Sequence, residues 1–187
     1  MHILAISPGE GFDEARWRLV LESGINALMI REKHLEARPL LELTRRALTL
    51  SPGLTFWVNG RLDVALAAGC GLHAPEAYPE TPGLVPLSRP LHHPAQFAKR
   101  AQAQQLLLSP VFETPDKGPS LGAEGLHAWL DALPTFEGRF LALGGIAPKN
   151  VARLKHPRLA GVALIRSLWH APDPRTVVMK LREAWER

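Results

Sequence analysis

The chain has 187 residues, 46% hydrophobic and 21% charged, with a formal net charge of +4. This profile suits one globular domain with a sizeable core, and the mild excess of basic residues favours anionic ligands. Lys and Arg stand singly or in pairs and aromatics are sparse, which argues against a nucleic-acid partner.

The single cysteine, Cys70, permits no internal disulfide and fits a reducing cytoplasm. No Cys or His spacing of the metal-binding types is present, and no apolar run approaches membrane-spanning length. Met1 to Ile6 lacks a charged segment ahead of a long apolar run, so no signal peptide is expected.

In chain order, strand and helix patterns alternate. Ile3 to Ile6 reads as a strand, Ser7 to Gly11 as a loop, and a helix capped by Asp13 follows with Trp17, Val20 and Leu21 on one face. Ile25 to Ile30 is strand two and Arg38 to Leu48 helix two. Leu54 to Val58 is strand three, followed by a short helix from Arg61 to Ala68. Cys70 to His73 is strand four. Ala74 to Gly83 carries three prolines and reads as a loop standing where a helix would be. Leu84 to Leu87 is strand five, followed by a helix from Pro94 to Ala103. Gln105 to Ser109 is strand six, followed by a helix from Leu121 to Leu133. Phe140 to Leu143 is strand seven, with a helix from Pro148 to Leu154. Leu159 to Ile165 is strand eight, and a last helix spans Pro174 to Trp185.

Eight strands with a helix after nearly every one predict a parallel sheet closed as an α/β (β/α)8 TIM barrel, one domain over 1–187 with a shortened connection after strand four. An open doubly wound sheet is the alternative. In a barrel the chemistry sits at the C-terminal ends of the strands. That rule selects Arg31, Glu32 and Lys33; Asn59, Gly60 and Arg61; His73; Ser88, Arg89, His92 and His93; Ser109, Glu113, Thr114 and Lys117; Gly144 and Gly145; and Ile165, Arg166 and Ser167. Most of these are cations or hydrogen-bond donors, so a phosphate ester is the inferred ligand. Leu141 to Leu143, broken by Gly144-Gly145 and followed by Pro148, reads as a strand leading directly into a helix N-terminus, where N–H groups can receive an anion. Imidazole titrates near neutrality, which makes His92 a candidate acid and base; His93 reads as the cap of the following helix.

Several of these pieces, in order, resemble the thiamine phosphate synthase/TenI superfamily: Ile30-Arg31-Glu32-Lys33, Asn59-Gly60-Arg61-Leu62-Asp63, Gly71-Leu72-His73, Val111-Phe112-Glu113-Thr114 and Leu143-Gly144-Gly145-Ile146. The synthase branch is similar but implies a magnesium-pyrophosphate site with a glutamine before the Arg-Glu-Lys, an Asn-Asp pair and an acidic segment after strand four. Here those places hold Met29, Gly60 and Glu76-Ala77-Tyr78. The resemblance to the TenI branch therefore implies a cofactor-free and metal-free thiazole tautomerase, with a small-molecule thiazole phosphate as its partner. In that reading His92 shuttles the proton, with His93 one residue away as the alternative. The backbone at Gly145, Ile165 and Arg166 holds the phosphate, Arg31 and Lys33 hold a ring carboxylate, and Asn59, Ser109 and Lys117 complete the substrate site. Synthase activity and a non-catalytic regulatory role are the alternatives. Pairing into a homodimer is left open.

Overall fold

The structure, a computed structural model, describes residues 1–80, 83–114 and 118–187. Eight parallel strands among these residues close in sequence order into one barrel. They are β1 (His2–Ile6), β2 (Ala27–Ile30), β3 (Thr55–Asn59), β4 (Gly71–His73), β5 (Leu87–Leu91), β6 (Gln105–Leu108), β7 (Arg139–Leu143) and β8 (Leu159–Leu164). The outer ring carries α1 (Glu14–Leu21), α2 (Ala37–Leu50), α3 (Leu62–Ala68), α4 (Gly122–Ala132), α5 (Arg166–Trp169) and α6 (Pro174–Glu186), with 3-10 segments at Pro94–Lys99 and Val151–Leu154. The expected α/β TIM barrel is the fold observed. No helix among the described residues is long and apolar enough to cross a membrane.

Side chains alternate between two cores, as the two-residue period of a strand requires. Leu4, Ile6, Ala27, Met29, Trp57, Leu107, Leu141 and Ala163 pack together inside the barrel. Ile3, Ala5, Leu28, Ile30, Phe56 and Val58 belong instead to the layer shared with Trp17, Leu40, Leu126 and Leu181 of the helices. Local signals start α1 and α6 where they were expected. Asp13 accepts from the Arg16 N–H at the start of α1, and Asp173 accepts from the Arg175 N–H at the start of α6, with Pro174 in its first turn.

Three expectations are corrected. Strand five is Leu87–Leu91, not Leu84 to Leu87. The apolar run drew the expectation too early: Leu84 is 59% exposed, whereas Ser88 is fully buried and pairs with His73 and Gln105 across the ladder. The helix expected from Pro148 is only the 3-10 segment Val151–Leu154. The Asn150 side chain accepts from the Ala147 N–H and donates to the Gly145 carbonyl, folding residues 145–150 into a side-chain-tied turn first. Likewise Pro94–Lys99 is a single 3-10 segment, shorter than the helix expected to Ala103. One element, α5, was not foreseen; four residues are too few to show a helical period.

Candidate active site

A cavity of about 770 Å³ opens at the C-terminal ends of the strands. Its volume suits small-molecule ligands. Arg31, Lys33, Asn59, His92, Ser109, Gly145, Ile165 and Arg166 all line it. Lys117 lies outside the described residues.

The exit of β2 is held from below. The buried Ser7 donates its backbone N–H to the Met29 carbonyl and accepts the Arg31 N–H on Oγ at 2.7 Å. Glu32, 2% exposed, turns away from both flanking cations and accepts the Gly9 and Gly11 N–H groups at 3.2 and 2.8 Å. A salt bridge of Arg31 or Lys33 with Glu32 is thereby replaced by a carboxylate that fixes the β1–α1 loop. That loop brings Pro8 and Glu10 to the cavity, and Glu10 pairs with His170 at 3.1 Å. Neither partner of that pair was foreseen, since the residues selected at the strand ends began with those after β2.

The exits of β7 and β8 form another end. Gly145 has φ +62°, and a Cβ there would stand 2.7 Å from the Glu113 carbonyl oxygen and 2.8 Å from Phe112 Cβ. Only glycine gives this conformation and this close approach. Ile165 caps α5, and the Leu168 and Trp169 N–H groups return to its carbonyl. The opposite end of α5 is held by Arg16, whose guanidinium donates to the Leu168 and Ala171 carbonyls at 2.9 and 2.7 Å. Loops after strands seven and eight, with a short extra helix, are where TIM barrels frequently receive phosphate. The helix start expected at Pro148 is absent, while Ile165 and Arg166, also expected beside Gly145, stand at the start of α5.

On the far wall, His92 directly follows β5. Its Nδ1 lies 2.9 Å from the Ser109 carbonyl oxygen and 3.3 Å from Ser109 Oγ. A carbonyl only accepts, so Nδ1 carries the hydrogen and Nε2 is the basic nitrogen. Nε2 lies 3.9 Å from Glu76, which also accepts from Gln96 at 2.9 Å and from Arg100. His93 instead caps the 3-10 segment, accepting the Ala95 N–H, and is not among the cavity residues. His92 is therefore the one of the pair that faces the cavity.

Deeper in the barrel, His73 is 7% exposed and lines the cavity floor. Burial, then the charges of Arg89 and Arg31 and the nearby His92, push its imidazole from 6.5 down to about 3. Near neutrality it is therefore the neutral imidazole. His2, at the bottom of β1, is pushed down to about 4, first by burial and then by Arg139 and its neighbours. Between these values and 6.5 the unfolded chain binds protons that the folded chain refuses, so stability falls as pH drops through that window. For His73 the slope is about 1.4 kcal/mol per pH unit. Urea midpoints between pH 7 and 4 should decline, and His73→Gln should flatten the decline; an unchanged slope in that variant would remove His73 as its source.

The family model described as thiamine monophosphate synthase (TMP-TENI) matches residues 12–168. The chain belongs to this family. Among its relatives, the thiamine-phosphate synthase of Moorella thermoacetica is 34% identical over 189 residues, covering 91% of this chain and 87% of that one. The thiamine-phosphate synthase of Syntrophomonas wolfei is 30% identical over 182 residues, with the same two coverages of 91% and 87%. The barrel itself superposes on the thiamine phosphate pyrophosphorylase of Pyrococcus furiosus with a TM-score of 0.85 at 23% identity, over 99% of this chain and 95% of that one.

The magnesium-pyrophosphate site that the synthase resemblance implies does not fit the donors present. Magnesium takes oxygen ligands, usually carboxylates together with substrate phosphates. Gly60 offers no side chain, and its N–H is spent on the His73 carbonyl at 2.9 Å. Glu76 is engaged by Arg100 and Gln96. Among the described residues no group of three or more His, Cys, Asp or Glu side chains could hold a metal ion.

Proposed function

We propose that this chain is a transferase of thiamine biosynthesis that joins a thiazole phosphate to a pyrimidine carrying a diphosphate. The observation that supports this reading is one cavity lined by Arg31 and Lys33 after β2 and by Gly145, Ile165 and Arg166 after β7 and β8, in a chain 30–34% identical to proteins named thiamine-phosphate synthase. The thiazole ring nitrogen forms a bond to the pyrimidine's methylene carbon. The carbon–oxygen bond to the diphosphate breaks, and its electron pair leaves with pyrophosphate; no proton is transferred. The chain's residues bind and orient. The backbone of Gly145, Ile165 and Arg166 holds the thiazole phosphate. Arg31 and Lys33 neutralise the diphosphate, whose charge grows as it departs. Asn59 and Ser109 stand between these two ends. Formation of thiamine phosphate from both substrates, with and without magnesium, tests the reading; no product under either condition overturns it.

One observation favours the isomerase expected from the sequence. His92 has its tautomer set by Ser109, its basic Nε2 in the neutral ring, and its place on the cavity wall. A carboxythiazole phosphate also has two anionic ends, and the absent metal carboxylates do not hinder a proton transfer. The relatives' names support the transferase over it. His92→Ala separates the two. If the chain is a tautomerase, kcat should fall about 10²–10⁴-fold with binding intact. If it is a transferase, coupling should change little.

A further inference from the structure

Inside the barrel, a polar chain crosses an otherwise apolar wall. Gln105 on β6, 1% exposed, donates Nε2–H to the hydroxyl of Ser88 on β5 at 2.9 Å. Ser88, fully buried, lies 2.8 Å from Nδ1 of His73 on β4. The ladder sets the three side by side, since His73 pairs with Ser88 and Ser88 with Gln105. Around them the barrel interior is Leu4, Ile6, Trp57, Leu107 and Leu141. Buried polar groups in such a setting cost stability unless each is satisfied, and a chain of this kind fixes orientation more than it stabilises.

The chain also has a direction. Ser88 Oγ accepts from Gln105, and the described residues offer its own hydrogen no acceptor other than Nδ1 of His73, so that hydrogen goes to His73. A ring nitrogen that accepts carries no hydrogen, which leaves the hydrogen of the neutral ring on Nε2. With Nδ1 turned to Ser88, Nε2 is the nitrogen left to meet the contents of the cavity that His73 lines. The cations Arg31 and Lys33 line the same cavity, as does His92. An anion is what this neighbourhood receives, and a neutral donor adds direction without adding a further cation.

We propose that His73 is a ligand-contacting residue: a neutral imidazole, fixed by Ser88 and Gln105 with its hydrogen on Nε2, that donates to an oxygen of the anionic group held beside Arg31. This rests on the reading of the mouth as a site for phosphorylated substrates. It assigns Ser88 and Gln105 as positioning residues.

Nitrogen-15 NMR of the imidazoles of the wild-type protein tests it directly, with inorganic pyrophosphate as the probe. His73 should show an unprotonated Nδ1 and a protonated Nε2 from pH 5 to 8, and pyrophosphate should shift the Nε2 resonance. Ser88→Ala should let the tautomers mix and weaken pyrophosphate binding about fivefold, the worth of one net hydrogen bond. A wild-type His73 protonated on Nδ1 overturns the proposal. So does pyrophosphate binding that leaves both ring nitrogens unmoved. If Ser88→Ala does not fold, the wild-type spectra decide alone. A protein with these spectra but no coupling activity would sink the transferase and leave the His73 assignment standing.

Discussion

Gly161→Ala should prevent the barrel from closing. Gly161 sits on β8 opposite His2 of β1, in the pairing that joins the last strand to the first. A Cβ at 161 would lie 1.8 Å from the His2 carbonyl oxygen, and 2.6 and 2.7 Å from its carbonyl carbon and nitrogen. These are backbone atoms of a ladder, so no side chain can rotate away. Either β1 lifts off or β8 shifts its register, and a one-residue shift turns every inward side chain outward. Overpacking usually costs about 1–3 kcal/mol; an obstacle built of backbone belongs at or above the top of that range. Against a total stability of about 5–15 kcal/mol, that is enough to remove much of the folded population. Gly53→Ala is the matched control, because a Cβ there meets nothing within 4 Å. Urea unfolding should give a near wild-type midpoint for Gly53→Ala and a large loss, or insoluble protein, for Gly161→Ala. A wild-type midpoint for Gly161→Ala would mean that the seam does not close as described.

The barrel was legible because its signal is repeated. Eight short apolar runs spaced by helical patterns leave few architectures, and a misplaced edge in one unit does not alter the count. Strand five shows where the signal fails. Its inward residues are Ser88, buried between His73 and Gln105, and Pro90, at the cavity, so the apolar run at Leu84 to Leu87 outcompeted it. The same error placed Ser88 in a loop and hid its link to His73. The mouth residues were legible by position alone: Arg31, Asn59, His92, Ser109 and Gly145 follow from strand ends. What stayed hidden depends on side-chain direction or on elements below a helical period. Glu32 could not be seen folding back on Gly9 and Gly11, nor Asn150 delaying a helix that Pro148 seemed to open. Helix α5, held by an arginine 152 residues away, leaves no local pattern. His93 and His92 are indistinguishable in sequence, yet one caps a turn and the other faces the cavity.

Arg31→Ala should lower kcat/KM for coupling about 10²–10³-fold, the usual loss when a preorganised group facing developing negative charge is removed. The fold should survive. What ties residue 31 into the structure is its backbone N–H on Ser7 Oγ, which alanine keeps, and its side chain lies at the cavity and not in a core. The effect should divide between the two constants in a telling way. A guanidinium that only attracts the diphosphate would raise KM and leave kcat alone. One that also stabilises the departing pyrophosphate must lower kcat as well, because the leaving oxygen bears more charge in the transition state than in the substrate. Arg31→Lys should recover the charge but not the two-pronged donation of a guanidinium, and so restore KM more than kcat. Kinetics of the three proteins with each substrate varied in turn and the other saturating make the comparison. If Arg31→Ala raised only the KM for the thiazole phosphate, the two ends of the cavity would have to be exchanged. Full activity in Arg31→Ala would leave the diphosphate without its principal cation, and the transferase reading could not stand on this cavity.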